Sequence, residues 1–224
     1  RHIVELLGGD AHLRGLFLEK VDAPDLGRRD WCGLKGDKQF RDTLADARRV
    51  LQDMAAALEY LHEKEILHND IKPANILNNK TNGAVLADVG LATGLTSAPS
   101  SWGTPWYVPP EFLWRRQRGA PADLFALGIV MMYLLGYIAI PECEQQAKTW
   151  LIAQVHGASA SPAAMAMVNW LRVVRDTRKE LQEATDRTAQ LVLGMLEQRS
   201  QDRITACELD TAIQSIRAEC QGLL

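Results

Sequence analysis

The chain has 224 residues, 47% of them hydrophobic and 24% charged, with a formal net charge of -3 and a pI near 6.0. That is enough chain to bury a sizeable core as one large domain or two small ones. The mildly acidic balance gives no global attraction to phosphate backbones or anionic lipid, which sets nucleic acid aside as a default partner. Cys32, Cys143, Cys207 and Cys220 are scattered, with no C-x-x-C pair and no metal-ligand spacing, a pattern that fits reduced thiols in a cytoplasmic or otherwise intracellular protein.

The opening run "RHIVELLGGDAHLRGLFLEK" mixes charge and apolar residues too finely for a signal peptide. It begins at Arg1 inside a strand-like run, which reads as a partial domain. "HIVELLG" and "GLFLEKV" are short aliphatic runs separated by glycine and predict a hairpin or two adjacent strands. "DAPDLGRRDWCGLKGDKQF" is polar and predicts loop with a short helix. From Thr43 the period becomes helical, with Leu44, Ala47, Leu51, Met54, Leu58 and Leu61 on one face and Asp46, Arg49, Asp53 and Glu63 largely off it. Thr43 with Asp46 three residues on resembles a capping box and marks the helix start.

"EILHND", "NILNN" and "AVLADVG" follow as short predicted strands, with "NKTNG" at 79–83 as the turn between the last two. "TGLTSAPSS" is the loose segment. The cluster Arg115, Arg116, Arg118 reads as a solvated face. Trp102, Trp106 and Tyr107 read as packing. Residues 124–140, "LFALGIVMMYLLGYIAI", carry no charge, but the run is at the short edge of a bilayer span and lacks a flanking Lys or Arg cluster. It predicts a buried core helix and no membrane partner. "AKTWLIAQV", "AMAMVNWLRVVRD", "RTAQLVLGMLEQ" and a last segment opened by Thr205 and Glu208 predict further helices. One compact, mostly helical domain over 1–224 with small β elements is the simplest architecture.

The stretch "HNDIKPANIL", residues 68–77, is too polar and too specific for an ordinary loop. Asp70 and Asn75 stand in the order D-x-x-x-x-N with Lys72 between them, and Asp88 follows a predicted strand in "ADVG". Two carboxylates and a carboxamide in one place offer hard oxygen ligands for Mg²⁺ and leave one carboxylate as a base, the requirements of phosphoryl transfer.

With those residues in view, the chain resembles the C-terminal lobe of a eukaryotic-type protein kinase. "HNDIKPAN" resembles the catalytic loop, "DVG" the metal-binding D-F-G, "GTPWYVPPE" the end of the activation segment with its A-P-E, and "DLFALG" the start of the central apolar helix. Arg203 in "QDRIT" stands where the family places the partner of the A-P-E glutamate, here Glu111. The implied fold is α+β, mainly α: a helical C-lobe over 23–224 with remnant N-lobe strands and hinge over 1–22.

The resemblance implies roles. Asp70 would accept the substrate hydroxyl's proton, Lys72 would neutralise charge on the transferring phosphoryl group, and Asn75 and Asp88 would hold Mg²⁺. Lys72 with Thr104 in "GTP" implies a serine/threonine protein substrate. Leu18 would be the gatekeeper, and Glu19 to Val21 the hinge meeting the adenine of ATP, with Leu77 a further nucleotide contact.

The sequence departs from the family pattern in three places. Asn69 replaces the usual arginine, so phosphorylation of the activation segment should matter less. Val89 replaces the phenylalanine of D-F-G with a smaller plug. Residues 1–42 contain no glycine-rich phosphate loop, strand lysine or helical glutamate partner. The resemblance therefore also admits a pseudokinase-like interaction module. The N-terminal hairpin would leave apolar surface uncovered, which implies a partner chain or self-association there.

Overall fold

The computed structural model describes residues 2–27, 43–97, 103–115, 118–139, 150–156 and 161–221. Helices dominate and the strands are short, the mainly helical α+β class expected. Helix α1, Leu44–Glu63, opens on the predicted capping box: Thr43 Oγ1 accepts from Asp46 N at 3.2 Å, and Asp46 Oδ2 accepts from Thr43 N at 3.1 Å. Such a cap stabilises a helix by about 1 kcal/mol. The predicted apolar face is buried from Ala47 to Leu61, whereas Leu44, in the first turn, stays exposed.

Asp53 corrects the sequence reading. Expected off the apolar face, it is buried, and its Oδ2 accepts the backbone N–H of Ala84 at 2.7 Å. A buried carboxylate needs such a donor to offset its lost hydration.

Strands β1, Leu6–Asp10, and β2, Gly15–Leu18, form an antiparallel hairpin. Residues 2–4 do not extend β1 as "HIVELLG" suggested. They run along a later strand instead: Val4 N donates to Leu86 O at 2.9 Å and Leu86 N to His2 O at 2.8 Å. Leu7, Leu16 and Phe17 are 64%, 66% and 55% exposed, so the hairpin leaves the expected apolar surface uncovered.

"EILHND" forms only β3, Ile66–Leu67, paired with β6, Thr93–Gly94. The strand ends because Asn69 turns into the left-handed region at φ 65. Strands β4, Ile76–Asn79, and β5, Gly83–Leu86, pair around the predicted turn, where Asn79 Oδ1 accepts from Thr81 N at 2.8 Å. On the outer side of β4, Leu26 N donates to Ile76 O and Asn78 N to Pro24 O, each at 2.9 Å. The segment that follows Val21 is thereby tied to the strand that follows Asn75.

After α2, Phe112–Arg115, comes α3, Ala120–Leu134, which takes up the charge-free run after Asp123 but stops short of the expected helix over 124–140: the chain turns at Leu135 and Gly136, the latter at φ 81. Every residue from Ala122 to Leu134 is buried, as a helix apolar on all sides requires. Among the described residues no helix is long and apolar enough to cross a membrane.

"AKTWLIAQV" was expected to be helical; its described part carries a single 3₁₀ turn, Ile152–Gln154. Helices α4, Pro162–Glu183, α5, Arg187–Met195, and α6, Ala206–Gln221, follow. Thr205 and Glu208 form the expected reciprocal cap, with bonds of 2.9 and 3.2 Å. Residues of α1, α3, α4, α5 and α6 share one core cluster. Cys32, Cys143, Trp102, Arg116 and most of the 23–42 loop lie outside the described residues.

Candidate active site

The loop between β3 and β4 is anchored by Asp123 in the first turn of α3. Its two carboxylate oxygens accept the backbone N–H groups of His68 and Asn69, each at 2.9 Å, and Oδ2 lies 3.1 Å from His62 Nε2. His68 is fully buried, with Nε2 3.0 Å from Ala87 O and Nδ1 3.3 Å from the N–H of Asp70. A carbonyl can only accept and a backbone N–H can only donate, so these partners select the neutral tautomer protonated at Nε2. His68 is thus a support for the loop.

Asp70, Lys72, Asn75 and Thr104 converge on one another. Lys72 Nζ donates to Asp70 Oδ2 at 2.7 Å and to Thr104 Oγ1 at 2.9 Å, and Thr104 Oγ1 donates to Asp70 Oδ1 at 2.8 Å. Asn75 Nδ2 donates to the Asp70 carbonyl at 2.8 Å and to Oδ2 at 3.1 Å. Pro73 opens a 3₁₀ turn, Pro73–Asn75, that folds Asn75 back toward Asp70. Burial raises the Asp70 pKa, but hydrogen bonds from Lys72, Thr104 and Asn75 outweigh it and hold the carboxyl below its ordinary value. The group is therefore an ionised, oriented acceptor at neutral pH.

Asp88 is brought to the same end of the β4–β5 pair, because Ala87 N donates to Asn75 O at 2.9 Å. It sits in the left-handed region at φ 61, is exposed, and accepts from Gly90 N at 3.3 Å. With Asn75 Nδ2 committed to Asp70, Asn75 Oδ1 and the Asp88 carboxylate remain as oxygen donors. Among the described residues no group of three or more His, Cys, Asp or Glu side chains could hold a metal. Val89 is half-buried in the 3₁₀ turn Val89–Leu91.

Leu18, 39% exposed, ends β2. Glu19 N donates to Glu5 O at 2.9 Å, while among the described residues neither the Glu19 carbonyl nor the Val21 N–H is taken by another group. Leu77 is half-buried and bridges to Asp25.

Asp123 and Arg118 were missed as contributors in the sequence, and Asn69 was read there only as a departure from the family pattern. Asp123 is a carboxylate at the head of a wholly apolar helix, and that placement is its signal, since such a charge must find donors. Asn69 Nδ2 donates to Leu91 O at 3.0 Å and Thr93 Oγ1 at 2.9 Å, joining the loop to the segment after Asp88. Arg118 departs from the solvated-face reading: its side chain turns inward and donates to Asn69 O at 3.3 Å, while the side chains of Arg115 and Arg116 lie outside the description. Burial lowers its pKa, and Asp123 and Asp70 oppose that.

Glu111 and Arg203 pair as expected, through two bonds of 2.8 and 2.9 Å. Trp106 and Tyr107 are packing residues, both buried, and Trp170 Nε1 donates to Trp106 O at 2.6 Å.

Comparison with known proteins agrees with this geometry. A model described as protein kinase domain matches residues 24–212. Cyclin-dependent kinase 9 of Danio rerio is 37% identical over 144 residues, 59% of this chain and 38% of that protein. Cyclin-dependent kinase 9-A of Xenopus laevis is 35% identical with the same coverage, and the Homo sapiens protein is 36% identical over 116 residues, 48% of this chain and 31% of its own. The chain thus spans less than two fifths of the length of these curated relatives.

Proposed function

The chain belongs to the protein kinase domain family, and on that premise we propose that it transfers the γ-phosphate of ATP to a serine or threonine hydroxyl of a protein. The observation that carries this reading is the closed Asp70, Lys72, Thr104 triangle, whose three bonds measure 2.7, 2.9 and 2.8 Å. Asp70 accepts the proton of the substrate hydroxyl as its oxygen attacks the γ-phosphorus and the bond to the leaving nucleoside diphosphate breaks. Lys72 neutralises charge on the transferring group, and Thr104 fixes both side chains.

The oxygens left at Asn75 and Asp88 suit Mg²⁺, which takes few protein ligands and completes its shell with phosphate and water. Bound there, the ion would neutralise phosphate charge. The Glu19 carbonyl and Val21 N–H offer one acceptor and one donor to adenine, beside Leu18 and Leu77. We further propose residues 1–22 as strands and hinge of a smaller lobe. The exposed apolar surface of its hairpin would be covered by a partner chain or a second copy of this chain, and the site would lie within a cell.

The test is transfer of labelled γ-phosphate from Mg-ATP to a basic protein substrate, with Asp70→Asn and Asp88→Ala beside the parent. Loss of the base should lower the rate by about 10²- to 10⁴-fold, and Asp88→Ala should abolish transfer. Folded parent chain without transfer would instead favour the interaction-module reading, and unchanged transfer by Asp70→Asn would remove Asp70 from the chemistry.

A further inference from the structure

A cleft of about 220 Å³ opens between α2, α3, α4 and the end of α5. Leu113, Phe125 and Leu196 form its floor. Trp114 and Val168, at 74% and 41% exposed, extend that apolar surface outward. Arg172, Arg175 and Arg178 line one wall at three-residue spacing along α4. That spacing sets them on one side of the helix over about 9 Å of rise. Among the described residues no acidic side chain lines the cleft.

Size and charge together choose the occupant. The volume is below the roughly 300 to 1,000 Å³ of small-molecule sites, so the cleft takes a side chain rather than a cofactor. Arg178 is paired with Glu197, and Arg175 is 3.6 Å from the exposed Asp176, but among the described residues Arg172 has no acidic partner. The wall is therefore cationic on a chain whose net charge is -3. Isolated exposed apolar residues are ordinary, but an apolar floor continuous with an exposed tryptophan and rimmed by one sign of charge is the form of a docking site.

We propose that this cleft binds an acidic protein segment, seating one bulky apolar side chain on Leu113, Phe125 and Leu196 while neighbouring carboxylates meet Arg172 and Arg175. An extended segment advances about 3.3 Å per residue, so acids within three residues of the anchor span the arginine wall. The inference goes beyond phosphoryl transfer and does not depend on it: binding is read without nucleotide.

The probe is a fluorescein-labelled peptide with a central leucine–tryptophan pair flanked by three glutamates on each side, titrated with the folded chain and followed by anisotropy. Saturable binding is expected, weakened at least tenfold by Arg172→Glu with Arg175→Glu, by raised salt and by replacing the leucine–tryptophan pair with serines. Both arginines are exposed, so circular dichroism should show the reversed variant folded. A peptide of the same acids lacking tryptophan, with leucine as its anchor, should shift the emission of the chain, and Trp114→Phe should remove that shift without removing anisotropy binding. No saturable binding, binding indifferent to the charge reversal, or self-association of the chain that the reversal abolishes would each overturn the proposal.

Discussion

The Arg118 guanidinium donates to the Asn69 backbone carbonyl at 3.3 Å, bridging 49 residues of chain between the loop after β3 and the approach to α3. Gly103 closes the same contact. A Cβ there would lie 3.0 Å from Asn69 O and 3.1 Å from both terminal nitrogens of Arg118, and its φ of 122 suits only glycine. Gly103→Ala should therefore destabilise the fold by about 1 to 3 kcal/mol and, by moving Thr104 off Asp70, lower phosphate transfer. Thermal unfolding and the transfer assay check both effects. An unchanged melting temperature would show that the contact is not tight.

Asp70 should titrate according to its three donors. Its folded pKa lies below the ordinary value of about 3.9, so folding favours the carboxylate. That stability is complete above the unfolded value and is lost as pH falls through the lower folded value. Lys72→Met removes the ammonium and leaves burial opposed only by Thr104 and Asn75. The expected result is an Asp70 carboxyl midpoint that moves upward by carbon NMR. A midpoint that stays or falls would assign the depression elsewhere.

Legibility tracked how local the determinant was. The capping box at Thr43 and the turn at Asn79 are each written within a few residues, and each forms as expected, as does the charge-free helix after Asp123 up to Leu134. Asp70, Lys72 and Asn75 share one loop and Thr104 was paired with them through the family resemblance, so their convergence was legible too. Arg118 and Asp53 were misread because only tertiary neighbours reveal them: a cation in an arginine-rich run and an acid on a helix both look solvated until a distant backbone group needs a partner.

Gly83 and Asp53 give a sharper test of such distant pairing. Gly83 has φ 87, and a Cβ would fall 2.6 Å from Asp53 Oδ2. Gly83→Ala should cost more than the strained backbone alone, about 1 to 3 kcal/mol. Asp53→Ala should also destabilise, by leaving the Ala84 N–H without its 2.7 Å acceptor. In the double variant the clash vanishes, so its cost should be smaller than the sum. Additive costs in urea unfolding would mean that the turn relaxes away from α1 without strain.

Arg203 commits its whole guanidinium to hydrogen bonds. Besides its two bonds to Glu111, it donates to Pro121 O at 2.7 Å and to Glu197 O at 2.8 and 3.1 Å, with its guanidinium 5.2 Å from the Phe125 ring. The Arg203 side chain is fully buried and that of Glu111 12% exposed. Arg203→Met would leave a carboxylate and two carbonyls short of donors, and removing one partner of a buried pair costs about 3 to 5 kcal/mol. Replacing both, Arg203→Met with Glu111→Leu, removes the orphaned charge and should recover part of that loss, although the two carbonyls stay unpaired. Urea unfolding of the two single variants and the double completes the cycle. A double variant no more stable than Arg203→Met would place the cost in the Pro121 and Glu197 carbonyls rather than in the ion pair.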